Sequence, residues 1–164
     1  MTVRPAQLSD IEAIMPIFDR ARAFMRSVGN EAQWTGGYPA RDLIISAIDA
    51  GKQYVCTQEG EVVGTFYFAV EEEPTYAQIT DGEWLNDAPY GVVHRLASSG
   101  QCKGVGRRCL EWCLEQAGNI RIDTHRCNAV MLNILRKAGY TRCGVIFIAD
   151  GTPREAFQKC VTCR

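Results

Sequence analysis

No apolar run in this 164-residue chain approaches the roughly 18 residues that a membrane-spanning helix needs. The longest, Val62 to Val70, is broken by Gly64 and Thr65, so no membrane partner is expected. Charge of either sign is not in excess. Eighteen Lys+Arg against nineteen Asp+Glu leave a formal net charge of -1, which gives no general positive field for polyphosphate and removes nucleic acid from the expected partners. The N-terminus, Met1-Thr2-Val3-Arg4-Pro5-Ala6-Gln7, lacks an apolar signal core and a small-residue cleavage site, so a cytoplasmic location is expected. Histidine is scarce, with only His94 and His125. Cysteine is not scarce, but the eight are scattered and fall below the roughly 8–10% density of disulfide scaffolds. Reduced thiols are therefore expected. The one Cys-x-x-Cys, Cys160 to Cys163, has no second pair and no nearby histidine to complete four zinc ligands, so no metal is expected. Cys109 and Cys113, four apart on a helical stretch, suit a small apolar stripe better than a metal.

What is present is the pattern of a folded α/β protein. Hydrophobic residues at 46% and charged residues at 23% exclude disorder. No repeat, linker or low-complexity stretch divides residues 1–164, so a single domain is expected. Thr2 to Arg4 reads as a strand. Ser9 and Glu12 have capping-box spacing for a helix whose buried face runs through Ile11, Ile14, Met15, Phe18, Ala21, Arg22 and Met25. Pro16 is expected to bend that helix or delay its start. A second helix is expected from Ala40 to Ala50, ended by Gly51. Gln53 to Thr57 and Glu61 to Val70 read as a hairpin. After an irregular stretch with Tyr76 and Trp84, Tyr90 to Ala97 reads as a strand, followed by a glycine-rich turn and a helix through Ala117. A strand at Ile120 to Thr124, a helix at Asn128 to Ala138, and strands at Tyr140 to Ala149 and Glu155 to Thr162 complete the order β-α-α-β-β-β-α-β-α-β-β. This order describes a single mixed sheet with helices on both faces.

The stretch Gln101-Cys102-Lys103-Gly104-Val105-Gly106-Arg107 carries the clearest chemistry. Successive backbone N–H groups at a helix start converge on an anionic oxygen, and glycines allow close approach. Lys103, Arg107 and Arg108 add local positive charge, so a diphosphate is the expected guest. No Lys-Ser or Lys-Thr follows as in a P-loop, and a dinucleotide fingerprint would need a third glycine. A tight strand-to-helix turn without a ligand accounts for the pattern equally well.

This turn, Gln101-x-x-Gly104-x-Gly106 after a strand, resembles the acetyl-CoA pyrophosphate motif of the Gcn5-related N-acetyltransferases. Asn128, Lys137, Gly139 and Tyr140 resemble the family's next strand-helix-strand segment, and the element order is similar over nearly the whole chain. His94-Arg95-Leu96-Ala97, Ile122-Asp123-Thr124-His125 and Cys143-Gly144-Val145-Ile146 resemble a bacterial subgroup of general acetyltransferases. The resemblance implies that the strand of Leu96, Ala97 and Ser98 splays from that of Asp123 and Thr124, with pantetheine in the gap. It places the cofactor's pyrophosphate beside Gln101 and on the amides of Cys102, Lys103, Gly104, Val105, Gly106 and Arg107, and Asn128 against the pantetheine arm. A backbone N–H near Leu96 is the candidate donor to the thioester carbonyl.

The implied activity is an acetyl-CoA-dependent N-acetyltransferase, in which a primary amine of a small or amino-acid-like substrate attacks directly in a ternary complex. The chain would work alone or as a homodimer. A non-catalytic acyl-CoA-binding or sensor protein is the alternative. His94 and His125 are the candidate proton acceptors, having the side chain that titrates near neutral pH. Strict alternation would put His94 and Arg95 on opposite sheet faces, and His125 equally suits a turn-fixing role. The family often has a tyrosine acid seven residues after the asparagine, where this chain has Leu135. A covalent route through Cys102 or Cys127 is less simple, since no Cys-His-acid spacing accompanies them. Trp34, Tyr38 and Trp84, on irregular aromatic segments, are the candidate acceptor contacts, and each also suits a packing role.

Overall fold

A computed structural model describes residues 1–161. Thr162 and Cys163, and with them the expected end of the last strand and the second half of the Cys-x-x-Cys, lie outside the described residues. The elements follow the expected order: β1 (Thr2–Pro5), α1 (Ile11–Ser27), α2 (Arg41–Asp49), β2 (Gln53–Gln58), β3 (Glu61–Val70), β4 (Gly91–Ser98), α3 (Val105–Ala117), β5 (Asn119–Thr124), α4 (Ala129–Lys137), β6 (Thr141–Phe147) and β7 (Pro153–Cys160). Two 3-10 turns, Leu8–Asp10 and Pro74–Tyr76, are added. The strands form one seven-stranded mixed sheet ordered β1-β2-β3-β4-β5-β7-β6 and flanked by the four helices. β4 runs parallel to β5, through Gly91↔Ile120 and Val92↔Arg121, while the β1/β2, β2/β3, β5/β7 and β6/β7 pairs are antiparallel.

The start of α1 departs from the expected capping box. Asp10 rather than Glu12 turns back, accepting from the Gln7 N–H at 2.7 Å, because Arg4 of β1 holds the same carboxylate through two bonds of 2.8 and 2.9 Å. The Arg4 guanidinium keeps the Asp10 carboxyl below its ordinary range. Glu12 is instead bonded by Arg41 of α2. Pro16 lies inside α1, which continues through it to Ser27. The donor it removes would have served the Glu12 carbonyl, one turn from the helix start.

Residue contacts gather the chain into two compact units. The first holds Met1–Phe68 and His94–Cys109. Its core joins Ile11, Ile14, Ile17 and Phe18 of α1 to Ile44 of α2, Val55 of β2 and Ala97 of β4. The three- and four-residue spacing on α1 is what carries that face inward. On the other face of the sheet, Val105 at the start of α3 is 2% exposed, and a Cβ added to Gly64 would meet its Cγ1 at 2.4 Å.

The second unit holds Ala69–Val93 and the chain from Leu110 onward. Leu110, Cys113, Ile120, Ile122, Leu135 and Ile146 are buried there. Its long connection before β4 is tied down by polar groups. Gln158 accepts from the Leu85 N–H at 2.9 Å and donates to Asn119 at 2.8 Å, and Asn119 donates to the Pro89 carbonyl at 3.0 Å. Buried amides that satisfy one another in this way fix a segment that has no regular structure of its own.

Candidate active site

In the first unit the informative feature of β4 is a break in its pleat. Arg95 has φ 54, in the left-handed region that a long side chain enters only under tertiary constraint. The break corrects the expectation that His94 and Arg95 face opposite ways. The His94 ring centroid is 5.7 Å from that of Tyr67, and the Arg95 guanidinium carbon is 4.9 Å from the same ring. Tyr67 pairs with Gln53 and lies two residues beyond Thr65, the partner of Val55. It therefore shares the face that Val55 and Ala97 bury beneath α1 and α2.

Beyond Ser98 the chain turns into α3. The buried Ser99 donates its N–H to the Val63 carbonyl at 2.8 Å, and its hydroxyl accepts from the Gln101 N–H at 3.3 Å. Gln101, Lys103, Gly104 and Arg107 are exposed, and Cys102 is half-buried. Gly104 sits at φ +80, and nothing lies within 4 Å of the place its Cβ would take, so the turn leaves an open cradle there. The first helical hydrogen bond runs from the Arg108 N–H to the Gly104 carbonyl at 3.0 Å, so the amides of Val105 and Gly106 come before the helical ladder. Arg20 of α1 adds a cation that spacing alone does not reveal. Its guanidinium lies 2.6 Å from where a Gly100 Cβ would stand. Open backbone donors, Lys103, Arg107 and Arg20 fit a diphosphate.

Trp34 and Tyr38 belong to this unit. Trp34 meets Phe18 edge-on at 5.7 Å between ring centroids and Tyr38 at 6.5 Å, and Tyr38 is 39% exposed. Cys56 of β2 and Cys109 of α3 are buried together, and the hydrogen bond from Cys109 lowers the Cys56 thiol to about 7. Cys109 and Cys113 are both buried on α3, as the apolar stripe expected from their spacing requires, whereas Cys56 belongs to no motif.

In the second unit, β5 directs Asp123 towards Tyr76, whose hydroxyl donates to the carboxylate at 2.6 Å. Tyr76 is 1% exposed, and burial, with Asp123 beside it, holds the phenol protonated. Trp84 donates its Nε1–H to the Tyr76 carbonyl at 2.9 Å. Arg121 is layered between aromatic rings, 4.4 Å from Trp84 and 4.2 Å from Tyr90, and donates to the Asn86 carbonyl at 2.6 Å.

His125 shapes the turn into α4. Its Nδ1 accepts from the Cys127 N–H at 3.1 Å and its carbonyl accepts from the Asn128 N–H at 2.8 Å. Burial, then the charges of Arg154 and Arg126, disfavour its protonated form. Asn128 caps α4, accepting from the Met131 N–H at 3.1 Å. Leu135 is fully buried. Tyr140 is also buried, with its phenol pushed up by burial and no hydroxyl partner among the described residues, so it is a poor proton donor. Among the described residues no cluster of three or more metal-ligating side chains occurs, and no helix is long and apolar enough to cross a membrane.

No family model matches the chain, and no curated protein matches it. Solved structures do. An acetyltransferase of the GNAT family from Streptococcus agalactiae 2603 superposes with a TM-score of 0.89 at 33% identity, over 97% of this chain and 94% of its own. The Salmonella typhimurium protein yncA, solved with its cofactor acetyl-CoA, gives 0.66 at 17% identity over 98% of this chain and 94% of its own. A ribosomal-protein-alanine N-acetyltransferase from Brucella melitensis gives 0.62 at 17% identity over 98% and 99%. The 33% identity to the first of these, over nearly the whole of both chains, places this chain in the acetyltransferase class. It belongs to the GNAT family, the Gcn5-related N-acetyltransferases.

Proposed function

We propose that this acetyltransferase moves the acetyl group of acetyl-CoA to a primary amine of a small or amino-acid-like acceptor, by direct attack in a ternary complex. The observation that carries the reading is the turn from Ser99 to Arg107, with its open Gly104 cradle, its amides ahead of the α3 ladder and three nearby cations. Acetyl-CoA supplies an activated acyl group on a thiol that leaves readily. Gln101 through Arg107 hold its diphosphate, and the backbone of Leu96, Ala97 and Ser98 pairs with the amides of its arm. The Leu96 N–H, just past the Arg95 break, donates to the thioester carbonyl oxygen as negative charge gathers there.

His94 accepts the proton that the attacking amine must lose. His125 is the weaker candidate for that task, since its Nδ1 already serves the turn before α4. A buried Leu135 in place of a phenol is tolerable. A thiolate whose conjugate acid has a pKa of about 8.5 leaves without a dedicated acid. Trp34 and Tyr38 offer ring surface to the acceptor. Trp84, with its indole N–H and its ring both engaged, is assigned to packing.

The test is thermal unfolding with and without acetyl-CoA, with ATP and NAD as controls. A ligand at a hundred times its dissociation constant adds about 2.7 kcal/mol of apparent stability. A shift specific to CoA compounds is expected, and Gly104→Glu should abolish it while still unfolding cooperatively. A folded wild-type protein with no shift would refute the reading.

A further inference from the structure

Arg95 is a cation held at some cost with no counter-charge among the described residues. Its φ of 54 is unfavourable for any residue with a β-carbon, its Nε is buried, and among the described residues no hydrogen-bond acceptor or carboxylate engages its guanidinium. The Tyr67 face at 4.9 Å offsets part of the desolvation but satisfies no N–H. Two more deeply buried arginines find oxygen partners: Arg121 donates to the Asn86 carbonyl and Arg154 to the Pro153 carbonyl. Strain and an unmet donor in one residue mark a place where a bound group completes the structure. That residue touches the same ring as His94, the proposed proton acceptor, and immediately precedes the Leu96 N–H. An anion on the reacting molecule, a few bonds from its amine, would supply the partner that this guanidinium lacks.

We infer that Arg95 receives a carboxylate of the acceptor, so that the substrates are amines bearing a free carboxylate, of the amino-acid type. The inference rests on the acetyl-transfer reading and narrows it. A guanidinium presents two parallel N–H donors that match a carboxylate, and it does so best where water is already partly excluded. A neutral carboxamide of the same shape offers one acceptor and no charge.

The experiment compares matched pairs, each amino acid, β- and γ-amino acid or dipeptide against its carboxamide, in acetyl transfer from saturating acetyl-CoA. At least one free acid is expected to exceed its amide in kcat/KM by about tenfold or more, mostly through KM. Arg95→Gly, which removes the guanidinium and is at ease at positive φ, should fold and bring the pair within about threefold. Arg95→Lys should keep part of the preference. The acetyl-CoA stability shift should be the same in wild type and both variants. The inference is overturned if amides match acids, if the preference survives Arg95→Gly, or if protein that binds acetyl-CoA acetylates none of the acids. It also fails if Arg95→Gly weakens acetyl-CoA instead, which would make Arg95 a donor-phosphate contact. Failure of wild type to bind acetyl-CoA would refute the acetyl-transfer reading itself, a separate result.

Discussion

Two aromatic, irregular segments look alike in sequence and are put to different uses. In the segment before β4, Tyr76 is buried with its hydroxyl on Asp123, Trp84 donates to the Tyr76 carbonyl, and the rings of Trp84 and Tyr90 enclose Arg121. Its polar handles are spent inside its own unit. In the segment before α2, Trp34 leans edge-on against Phe18, while Tyr38 keeps 39% of its surface exposed. An aromatic loop is available to a ligand to the extent that its donors and ring faces are not already satisfied, and composition does not record which is the case.

The sharpest way to break the contrast is to unfasten the first of these segments. Gly144 of β6 has φ +154, and a Cβ there would stand 2.4 Å from the Thr80 carbonyl oxygen, at the bridge where Thr80 and Val145 exchange bonds of 2.9 and 2.8 Å. Gly144→Ala must push this backbone apart and lose one or both bonds. A loss of about 3 kcal/mol or more is expected in urea unfolding. A loss under about 1 kcal/mol would mean that the segment is not clamped to β6.

A smaller effect separates the two aromatic sets directly. Trp84→Ala removes a ring from Arg121 and an N–H from the Tyr76 carbonyl, and should cost about 2–3 kcal/mol of stability. Tyr38→Ala should stay within about 0.5 kcal/mol in stability. Once an acceptor is known, Tyr38→Ala should raise its KM severalfold, with the KM for acetyl-CoA unchanged. The reverse pattern, a stable Trp84→Ala with a raised acceptor KM, would exchange the roles assigned to the two segments.

The element order was legible because it depends on local signals. The three- and four-residue spacing of Ile11, Ile14 and Phe18 and the glycine that ends α2 at Gly51 each act within a few residues. The glycine turn was legible for the same reason. What sequence spacing misjudged depends on partners far along the chain. The spacing of Ser9 and Glu12 is that of a capping box, but Arg4 on the Asp10 carboxylate and Arg41 on that of Glu12 decide which acid turns back. The Arg95 break carries no local signal, since arginine has no preference for positive φ. The contacts that accompany it, His94 and Arg95 both on the Tyr67 ring, come from β3, far back in the chain. Tyr76 and Asp123 are 47 positions apart, beyond any motif.

The two histidines can be told apart by what His125 already does in its turn, and here the expected effect is smallest. The Nδ1 of His125 accepts the Cys127 N–H, and burial, with Arg154 and Arg126 nearby, holds its pKa below the ordinary 6.5. The unfolded chain therefore binds a proton that the folded chain resists. Above pH 6.5 both states are neutral at this site and its contribution is fully present. As the pH falls below 6.5 stability declines, and the decline ends once the lower folded value is passed. His125→Asn keeps an acceptor for the Cys127 N–H without titrating, so unfolding measured across this window should be flatter than in wild type. The acid limb of kcat/KM should survive in His125→Asn if His94 is the base. A limb that vanished with His125, beside an unchanged stability profile, would move the proton transfer to the turn before α4 and leave His94 as a neighbour of Tyr67.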